Sequence, residues 1–314
     1  MNCNYIFFLV ILLLNTLIYG QVENTNNMDT LYKSEEGKAA ILKLYDQKLE
    51  SLEVQANSDY IQTSFGSTHI LQVGEQDKPA LILVHGSNGC APIALETYQN
   101  LLDNFNVYAI DVLAQPNKSA ETRLSMKDDS YGKWMNEIID SLDLTEVYMA
   151  GFSFGGLVIL KTLEYNETRV KEVFLSAPAY IVNGNPIKSL FKVFLPMKKY
   201  MKTENKQYVE KFLEELFTAK DTFAIEYLSQ VFLHFEMDFS PVPVIKKKNA
   251  QKITTPISIF GANEDIMFPG KKMLKRANKI FPTLKKSVLI ENSKHVQNAE
   301  QNRMIEQEIL KCLE

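Results

Sequence analysis

The sequence predicts an α/β fold built on a mostly parallel sheet with helices on both of its faces. Short β-rich runs alternate with longer amphipathic segments, which is the pattern of strands joined by crossover helices. Several of these runs are apolar throughout, as strands covered on both faces must be. With 314 residues, of which 46% are hydrophobic, the chain is long enough for one large core.

The first 20 residues predict a signal peptide. Residues 5–14 form an unbroken apolar run, shorter than the roughly 20 residues that a spanning helix needs. Gly20 is a small residue where cleavage is expected, and a polar stretch follows it. We therefore expect export to the periplasm or out of the cell, with an uncleaved membrane anchor as the alternative and no integral membrane segment after cleavage. Residues 21–58 are expected to form a polar and helical lead-in.

The main domain, residues 59–314, is predicted to begin with a hairpin at the edge of the sheet. Residues 60–65 and 68–73 alternate between apolar and polar character, and Gly66-Ser67 separates them. Such alternation indicates that one face of each strand is exposed.

Six continuously apolar runs predict the central strands. These are residues 80–84, 107–110, 147–150, 173–175, 257–260 and 288–290. Amphipathic patterns predict helices between several of them and at the end of the chain. These are residues 95–105, 131–142, 157–165, 271–281 and 300–313.

One interval, residues 179–255, breaks this alternation. It contains no comparable buried strand, but it carries helical patterns rich in aromatic residues. An insertion at this point would lie across the carboxyl ends of the strands, where open α/β sheets place their ligands. We expect a helical cap here, in which most of the aromatic side chains pack against the sheet.

The pentapeptide Gly-Phe-Ser-Phe-Gly at residues 151–155 matches the G-x-S-x-G pattern of a nucleophilic serine. It ends an apolar run and opens a helical pattern, so Ser153 is expected on a sharp strand-to-helix turn. A serine in such a turn takes strained backbone angles, and side chains at Gly151 or Gly155 would collide with the neighbouring elements. Ser153 is therefore the predicted nucleophile.

A serine hydroxyl needs a neighbouring base, and the base needs a third group to orient it. Where the serine comes first in the chain, the base follows it, which leaves His234 and His295. His234 lies in the aromatic cap and is expected to be a packing or rim residue. Because His295 follows the last strand by a short polar loop, we expect it at the same end of the sheet as Ser153.

Two adjacent carboxylates, Glu264 and Asp265, compete for the role of the orienting acid. Both lie in the loop that leaves the strand at residues 257–260. Either could accept a hydrogen bond from the histidine and stabilise the imidazolium. The residues of the loop do not separate them.

Backbone N–H groups must stabilise the negative charge that develops on the substrate oxygen. They typically come from the residue after the nucleophile and from the loop after the third strand. Phe154 occupies the first position. In the second loop Ser87 is the predicted donor, with Asn88 in reserve, and His85 is expected to shape the loop because it precedes the nucleophile in the chain.

Composition excludes several other classes of protein. The net charge of -4 supplies no basic field for a phosphate backbone, so no nucleic-acid partner is expected. The sequence has no phosphate-binding G-x-x-x-x-G-K-[ST] loop, no H-E-x-x-H and no paired C-x-x-C, and we predict neither a metal nor a cofactor. After cleavage only Cys90 and Cys312 remain, and a disulfide between them is permitted but not required.

These motifs resemble those of the α/β-hydrolase superfamily, and they cover the chain from about residue 59 to its end. The residues that carry the resemblance are His85-Gly86, residues 151–156, the loop at Gly261 and His295-Val296. Within the superfamily the chain is similar to a bacterial carboxylesterase group related to the Bacillus naproxen esterase. That similarity also includes residues 32–38, 63–69, 110–113 and 117–119.

The resemblance bears on the choice of acid. In the carboxylesterase group the acid is a glutamate three residues beyond the strand-end glycine, which corresponds to Glu264. Superfamily members with an aspartate usually carry a proline four residues later, a spacing that Asp265 and Pro269 satisfy. We favour Glu264. The chain departs from the group in its export signal and in residues 89–92.

The sequence as a whole predicts a carboxylic ester hydrolase that works through an acyl-enzyme intermediate. The aromatic cap favours a small-molecule ester with a small or medium apolar acyl group. A thioesterase, an amidase or a C–C bond hydrolase could use the same residues. A different alternative is a catalytically inert protein that uses the fold to bind a ligand. The residues do not indicate the oligomeric state.

Overall fold

The structure, a computed structural model, describes residues 30–314. The predicted signal peptide, residues 1–20, lies outside the described residues. One sheet has eight strands: β1 Asn57–Thr63, β2 Gly66–Val73, β3 Ala80–Val84, β4 Asn106–Ile110, β5 Val147–Phe152, β6 Val170–Ser176, β7 Ile257–Ala262 and β8 Leu284–Ile290. Their spatial order is β1-β2-β4-β3-β5-β6-β7-β8.

The sheet is mostly parallel, which confirms the predicted fold class. β1 pairs antiparallel with β2, and β2 pairs antiparallel with β4. All neighbours from β4 to β8 are parallel. Val84 lies beside Gly151, and Ala262 lies beside Ile290. The carboxyl ends of β3, β5, β7 and β8 therefore point toward one edge of the sheet, where their loops converge.

Two layers of apolar side chains cover the sheet. Because successive side chains of a strand point to opposite faces, alternate residues of β3 belong to different layers. Leu81 and Leu83 pack in one apolar cluster, whereas Ile82 and Val84 pack in the other. This double burial explains why the central strands are apolar throughout.

Helices cover both faces of the sheet, and five further helices lie in the segment between β6 and β7. In chain order the helices of the described residues are α1 Glu35–Ser51, α2 Ala91–Thr97, α3 Ser130–Ser141, α4 Phe154–Tyr165, α5 Pro186–Ser189, α6 Leu195–Thr203, α7 Gln207–Leu216, α8 Thr222–His234, α9 Lys247–Ala250, α10 Gly270–Ile280 and α11 Ala299–Leu310. The predicted helix at residues 95–105 is displaced toward the N-terminus, because Pro92 favours the first turn of α2. Within residues 30–314, no helix combines the length and apolar character that crossing a bilayer requires.

The predicted edge hairpin is present, but its turn differs from the prediction. Thr63 pairs with Gly66, so the two-residue turn is Ser64-Phe65 instead of Gly66-Ser67. Gly66 has φ +124°, a conformation that glycine adopts readily, and it begins β2.

β8 is an edge strand, whereas the sequence predicts a central strand at residues 288–290. Its first half is polar and alternates between exposed and half-buried residues. Lys285 forms an ion pair with Glu172 (2.9 Å), and Lys286 pairs with Glu308. Charged side chains of this kind are typical of sheet edges.

The segment between β6 and β7 is helical, and we refer to residues 179–255 as the cap. α5 to α9 lie within it. The lead-in contacts the end of α8 through an antiparallel bridge between Tyr32 and Phe235. The Lys33 N–H donates to His234 O (2.9 Å), and the Glu236 N–H donates to Leu31 O (2.7 Å).

Candidate active site

Ser153 occupies the sharp turn between β5 and α4. Its backbone angles are φ 53° and ψ -112°, a region that is strained for a residue with a side chain. A Cβ at Gly155 would lie 2.1 Å from Val84 O, and one at Gly151 would lie 2.8 Å from the Gly155 carbonyl carbon. The two glycines are therefore required by close packing, and the turn raises Ser153 above the sheet edge.

His295 lies between Ser153 and Asp265 within hydrogen-bonding distance of both. His295 Nε2 is 2.9 Å from Ser153 Oγ, and Nδ1 is 2.7 Å from Asp265 Oδ2. Because an ionised carboxylate only accepts, Nδ1 carries the proton and Nε2 of the neutral imidazole accepts from the serine hydroxyl. Ser153 and His295 are each 7% exposed, so the pair is shielded from bulk water but not fully enclosed.

The structure pairs His295 with Asp265, so the preference for Glu264 is corrected. The Glu264 N–H donates to Ser293 O (2.8 Å), and its side chain is exposed. Asp265 is buried, and its Oδ1 accepts from the N–H groups of Met267 (2.7 Å) and Phe268 (3.0 Å). Adjacent side chains of the loop point in opposite directions, which gives the orienting position to Asp265.

Two backbone amides are available beside Ser153. The Phe154 N–H is the first of α4, where a helix supplies no internal acceptor. Within residues 30–314, neither it nor the Ser87 N–H donates to a protein group. The Asn88 N–H, in contrast, donates to Gln115 Oε1 (2.7 Å), which favours Ser87 as the second donor.

The loop that carries Ser87 lies directly against the nucleophile turn. A Cβ at Gly86 would lie 2.9 Å from Phe152 Cδ1 and 3.4 Å from Ser153 Cβ. A small cavity of about 60 Å³ adjoins both candidate donors, and Tyr131 and Leu124 are among its lining residues. The sequence-predicted pair of donors is thus brought together at one cavity.

His85 is a structural residue of this loop. It is buried, and burial lowers its pKa, so the neutral imidazole is favoured. Nδ1 donates to Gly86 O (2.7 Å), and Nε2 accepts from the Val112 N–H (3.0 Å). Both ring nitrogens are therefore occupied, in agreement with the expectation that His85 shapes the loop.

Three contacts of His295 have no motif in the sequence. The rings of Phe152 and Phe268 lie 5.1 Å and 5.5 Å from the imidazole, measured between ring centroids. Gln297 Nε2 donates to His295 O (3.1 Å), and Gln297 Oε1 accepts from Ser176 Oγ (3.0 Å). In the sequence, only proximity to the predicted site residues could have indicated these contacts. Phe152 directly precedes the serine, and Gln297 follows the histidine by two residues.

His234, the other candidate base, lies away from the nucleophile. It ends α8, and its side chain packs against α1: a Cβ at Gly37 would lie 2.5 Å from His234 Cβ. This position agrees with the expectation that His234 is a packing residue.

A second serine, histidine and aspartate have nearly the same spacing elsewhere in the sheet. Ser58 Oγ lies 2.8 Å from His69 Nε2, and His69 Nδ1 lies 2.8 Å from Asp111 Oδ2. Ser58, however, lies within the edge strand β1, outside the residues of strained backbone. Asp111 also accepts from the Ala91 N–H (2.7 Å), which ties this group to the packing of α2. We interpret it as structural.

The two cysteines of the described residues are unpaired. Cys90 is buried and Cys312 is partly exposed, and neither forms a disulfide. In residues 30–314, no group of three or more histidine, cysteine, aspartate or glutamate side chains has the arrangement of a metal site.

The sheet and the converging serine, histidine and aspartate are arranged as in the α/β-hydrolase fold. The family profile for the alpha/beta hydrolase fold matches residues 79–218. Both findings agree with the motifs in the sequence.

Among known proteins, the chain is similar to carboxylesterases of Bacillus subtilis. It is 23% identical to carboxylesterase YbfK of strain 168 over 276 residues, which cover 86% of this chain and 92% of the relative. The crystal structure of the B. subtilis naproxen esterase (carboxylesterase NP) matches with a TM-score of 0.78 at 22% identity, covering 90% of this chain and 100% of that one. The crystal structure of B. subtilis carboxylesterase CesB (YbfK) gives 0.75 at 22% identity, covering 88% and 98%.

Proposed function

We propose that the protein is a serine hydrolase that cleaves carboxylic esters through an acyl-enzyme intermediate. The observation that carries this proposal is the hydrogen-bonded series of Ser153, His295 and Asp265. It lies beside two backbone amides that donate to no protein group within residues 30–314. Backbone strain is typical of functional sites, and the hydrogen bond between the strained serine and a base favours catalysis over ligand binding alone. The names of the similar Bacillus proteins favour esters over the thioester, amide and C–C alternatives.

In the acylation half, Ser153 Oγ attacks the ester carbonyl carbon while its proton passes to His295 Nε2. The carbonyl oxygen becomes an oxyanion that accepts from the Phe154 and Ser87 amides. The imidazolium then protonates the leaving alkoxide as the C–O bond breaks. The alcohol departs, and the acyl group remains on Ser153.

In the deacylation half, a water molecule takes the place of the alcohol. His295 accepts a proton from the water as its oxygen attacks the acyl carbon, and the same proton returns to Ser153 Oγ when the acid leaves. Asp265 stays ionised throughout and stabilises the imidazolium. No cofactor is needed to balance either half.

The cavity beside the amides favours a small acyl group. Its volume of about 60 Å³ is enough for only a few heavy atoms, and Leu124, Met126 and Val242 make part of its wall apolar. We therefore expect p-nitrophenyl acetate and propionate to be cleaved with a higher kcat/KM than the octanoate. The same acyl series offered as thioesters and amides tests the alternatives.

The decisive experiment combines ester turnover with labelling by a fluorophosphonate probe. The probe should modify Ser153 and abolish turnover, and Ser153→Ala should lose both labelling and about 10⁶-fold in kcat. Ser58→Ala is the matched control, because Ser58 also lies beside a histidine, and it should retain near-normal turnover. Normal turnover by Ser153→Ala would refute the proposal.

We also propose export through residues 1–20. N-terminal sequencing of protein recovered from cell fractions is the test. A chain that starts near Gln21 in the periplasm or the medium would support it, and a cytoplasmic chain that keeps Met1 would refute it.

A further inference from the structure

The cap and the loop that carries His295 share main-chain hydrogen bonds. Phe217, between α7 and α8, forms an isolated parallel bridge with Val296. The Val296 N–H donates to Leu216 O (2.8 Å), and the Thr218 N–H donates to Val296 O (3.0 Å). The residue that directly follows His295 is therefore held by one cap segment, residues 216–218.

The hydroxyl of Thr218 extends this contact to the residue that precedes His295. Oγ1 donates to Val296 O (2.8 Å) and accepts from the Lys294 N–H (3.0 Å). One side chain of the cap thus joins the main chain on both sides of the histidine. The β-branched side chain of threonine has few χ1 rotamers, so the link is stiff.

The position of His295 must satisfy two short contacts at once, to Ser153 (2.9 Å) and to Asp265 (2.7 Å). Gln297 holds the loop from the side of the sheet, through its hydrogen bond to His295 O. Thr218 holds the same loop from the side of the cap. A displacement of either anchor would move the imidazole relative to both of its partners.

We propose that Thr218 is a positioning residue, through which the cap keeps His295 aligned with Ser153. The proposal rests on the ester hydrolysis proposed above. It makes the cap part of the catalytic apparatus, because a cap movement that breaks the Thr218 contacts also releases the main chain at Lys294 and Val296. Substrate entry by cap opening at this point would therefore separate His295 from Ser153.

Three variants test this role. Thr218→Val keeps the shape of the side chain but removes the hydroxyl, which leaves the Lys294 N–H without its acceptor. Thr218→Ser restores the hydroxyl. Tyr200→Phe is the matched control, because it removes another hydroxyl hydrogen bond of the cap, from Tyr200 to Ser229 O (3.2 Å), and both partners of that bond lie within the cap.

We expect Thr218→Val to lower kcat for p-nitrophenyl acetate by about 10- to 100-fold with KM changed by less than about twofold, since small displacements of catalytic groups have effects of this size. The rate of fluorophosphonate labelling at Ser153 should fall by a similar factor. Thr218→Ser should recover most of both rates. Tyr200→Phe should keep wild-type rates even if its melting temperature falls as far as that of Thr218→Val.

Two results would overturn the proposal. The first is a wild-type kcat in Thr218→Val. The second is an equal loss of activity in Thr218→Val and Tyr200→Phe, with each loss explained by a lowered melting temperature. If the wild-type protein neither hydrolyses esters nor takes the label, the proposed function fails instead. In that case the low-field NMR signal of the His295 Nδ1 proton decides. A shifted or broadened signal in Thr218→Val supports the positioning role, and an unchanged signal refutes it.

Discussion

Replacement of Asp265 by asparagine should remove most of the catalysis and leave the fold in place. Asp265 Oδ1 accepts from the Met267 and Phe268 N–H groups at 2.7 and 3.0 Å, and Oδ2 faces His295 Nδ1 at 2.7 Å. The two backbone donors would orient the new amide with its oxygen toward them and its nitrogen toward Nδ1. The imidazole must then carry its proton on Nε2. That N–H points at Ser153 Oγ, so Nε2 cannot accept the proton of the serine hydroxyl.

The wrong tautomer should lower kcat by about 10⁴-fold, which is roughly 5.5 kcal/mol in the activation free energy. The free energy of unfolding should change less, by about 1–2 kcal/mol, because both backbone N–H groups keep an oxygen acceptor and only the negative charge of that acceptor is lost. Glu264→Gln is the matched control, since its carboxylate is exposed and adjacent in the chain. It should stay within about twofold of the wild-type kcat.

The assay is the initial rate of p-nitrophenyl acetate hydrolysis at pH 8, with melting temperatures recorded for both variants. A 10⁴-fold loss in Glu264→Gln with a nearly normal Asp265→Asn would refute the reasoning and restore the first preference for the acid. Equal and small losses in both would show that the orienting acid lies outside this loop.

Three further predictions concern the scaffold. Gly155→Ala should destabilise the protein by about 3 kcal/mol in urea unfolding and lower ester turnover, because its Cβ would meet Val84 O at 2.1 Å, and an unchanged midpoint would contradict this. Burial lowers the pKa of His85, so below about pH 6.5 the unfolded chain binds a proton at this imidazole that the folded chain does not bind. The free energy of unfolding should therefore fall as the pH drops below about 6.5, by up to about 1.4 kcal/mol per pH unit. The fall should be less steep in His85→Gln. Burial raises the pKa of Cys312 to about 11, so its thiol should react slowly with Ellman's reagent at pH 8, and Cys90 should react only in denaturant.

The sheet could be predicted from the sequence because buried parallel strands are composed of apolar residues. Residues 80–84 coincide with β3 for this reason. Polar residues at strand ends were missed, such as Asn106 in β4 and Ser176 in β6, because the main-chain pairing that includes them does not depend on their side chains. β8 was predicted to be a central strand because the prediction used only its apolar second half, whereas its polar first half is typical of an edge strand.

The nucleophile and the base were predictable because each follows a strand that ends at the same edge of the sheet. The acid was not, since the choice between neighbouring residues depends on the hydrogen bond from the Glu264 N–H to Ser293 O, a contact between two distant loops. The contact of Thr218 with Lys294 spans 76 positions and leaves no local pattern. Long-range main-chain contacts are the part of the site that residue types do not encode.

The near-duplicate geometry around Ser58 has a consequence for function assignment in proteins of this fold. A template that matches three side chains and their separations would return two answers in this molecule, about equally good in distance. The main-chain torsion angles of the serine distinguish them, because Ser153 has φ 53° and ψ -112° in a sharp turn whereas Ser58 lies within strand β1. Searches for hydrolytic centres would therefore gain selectivity by scoring the peptide backbone around a serine before its neighbours.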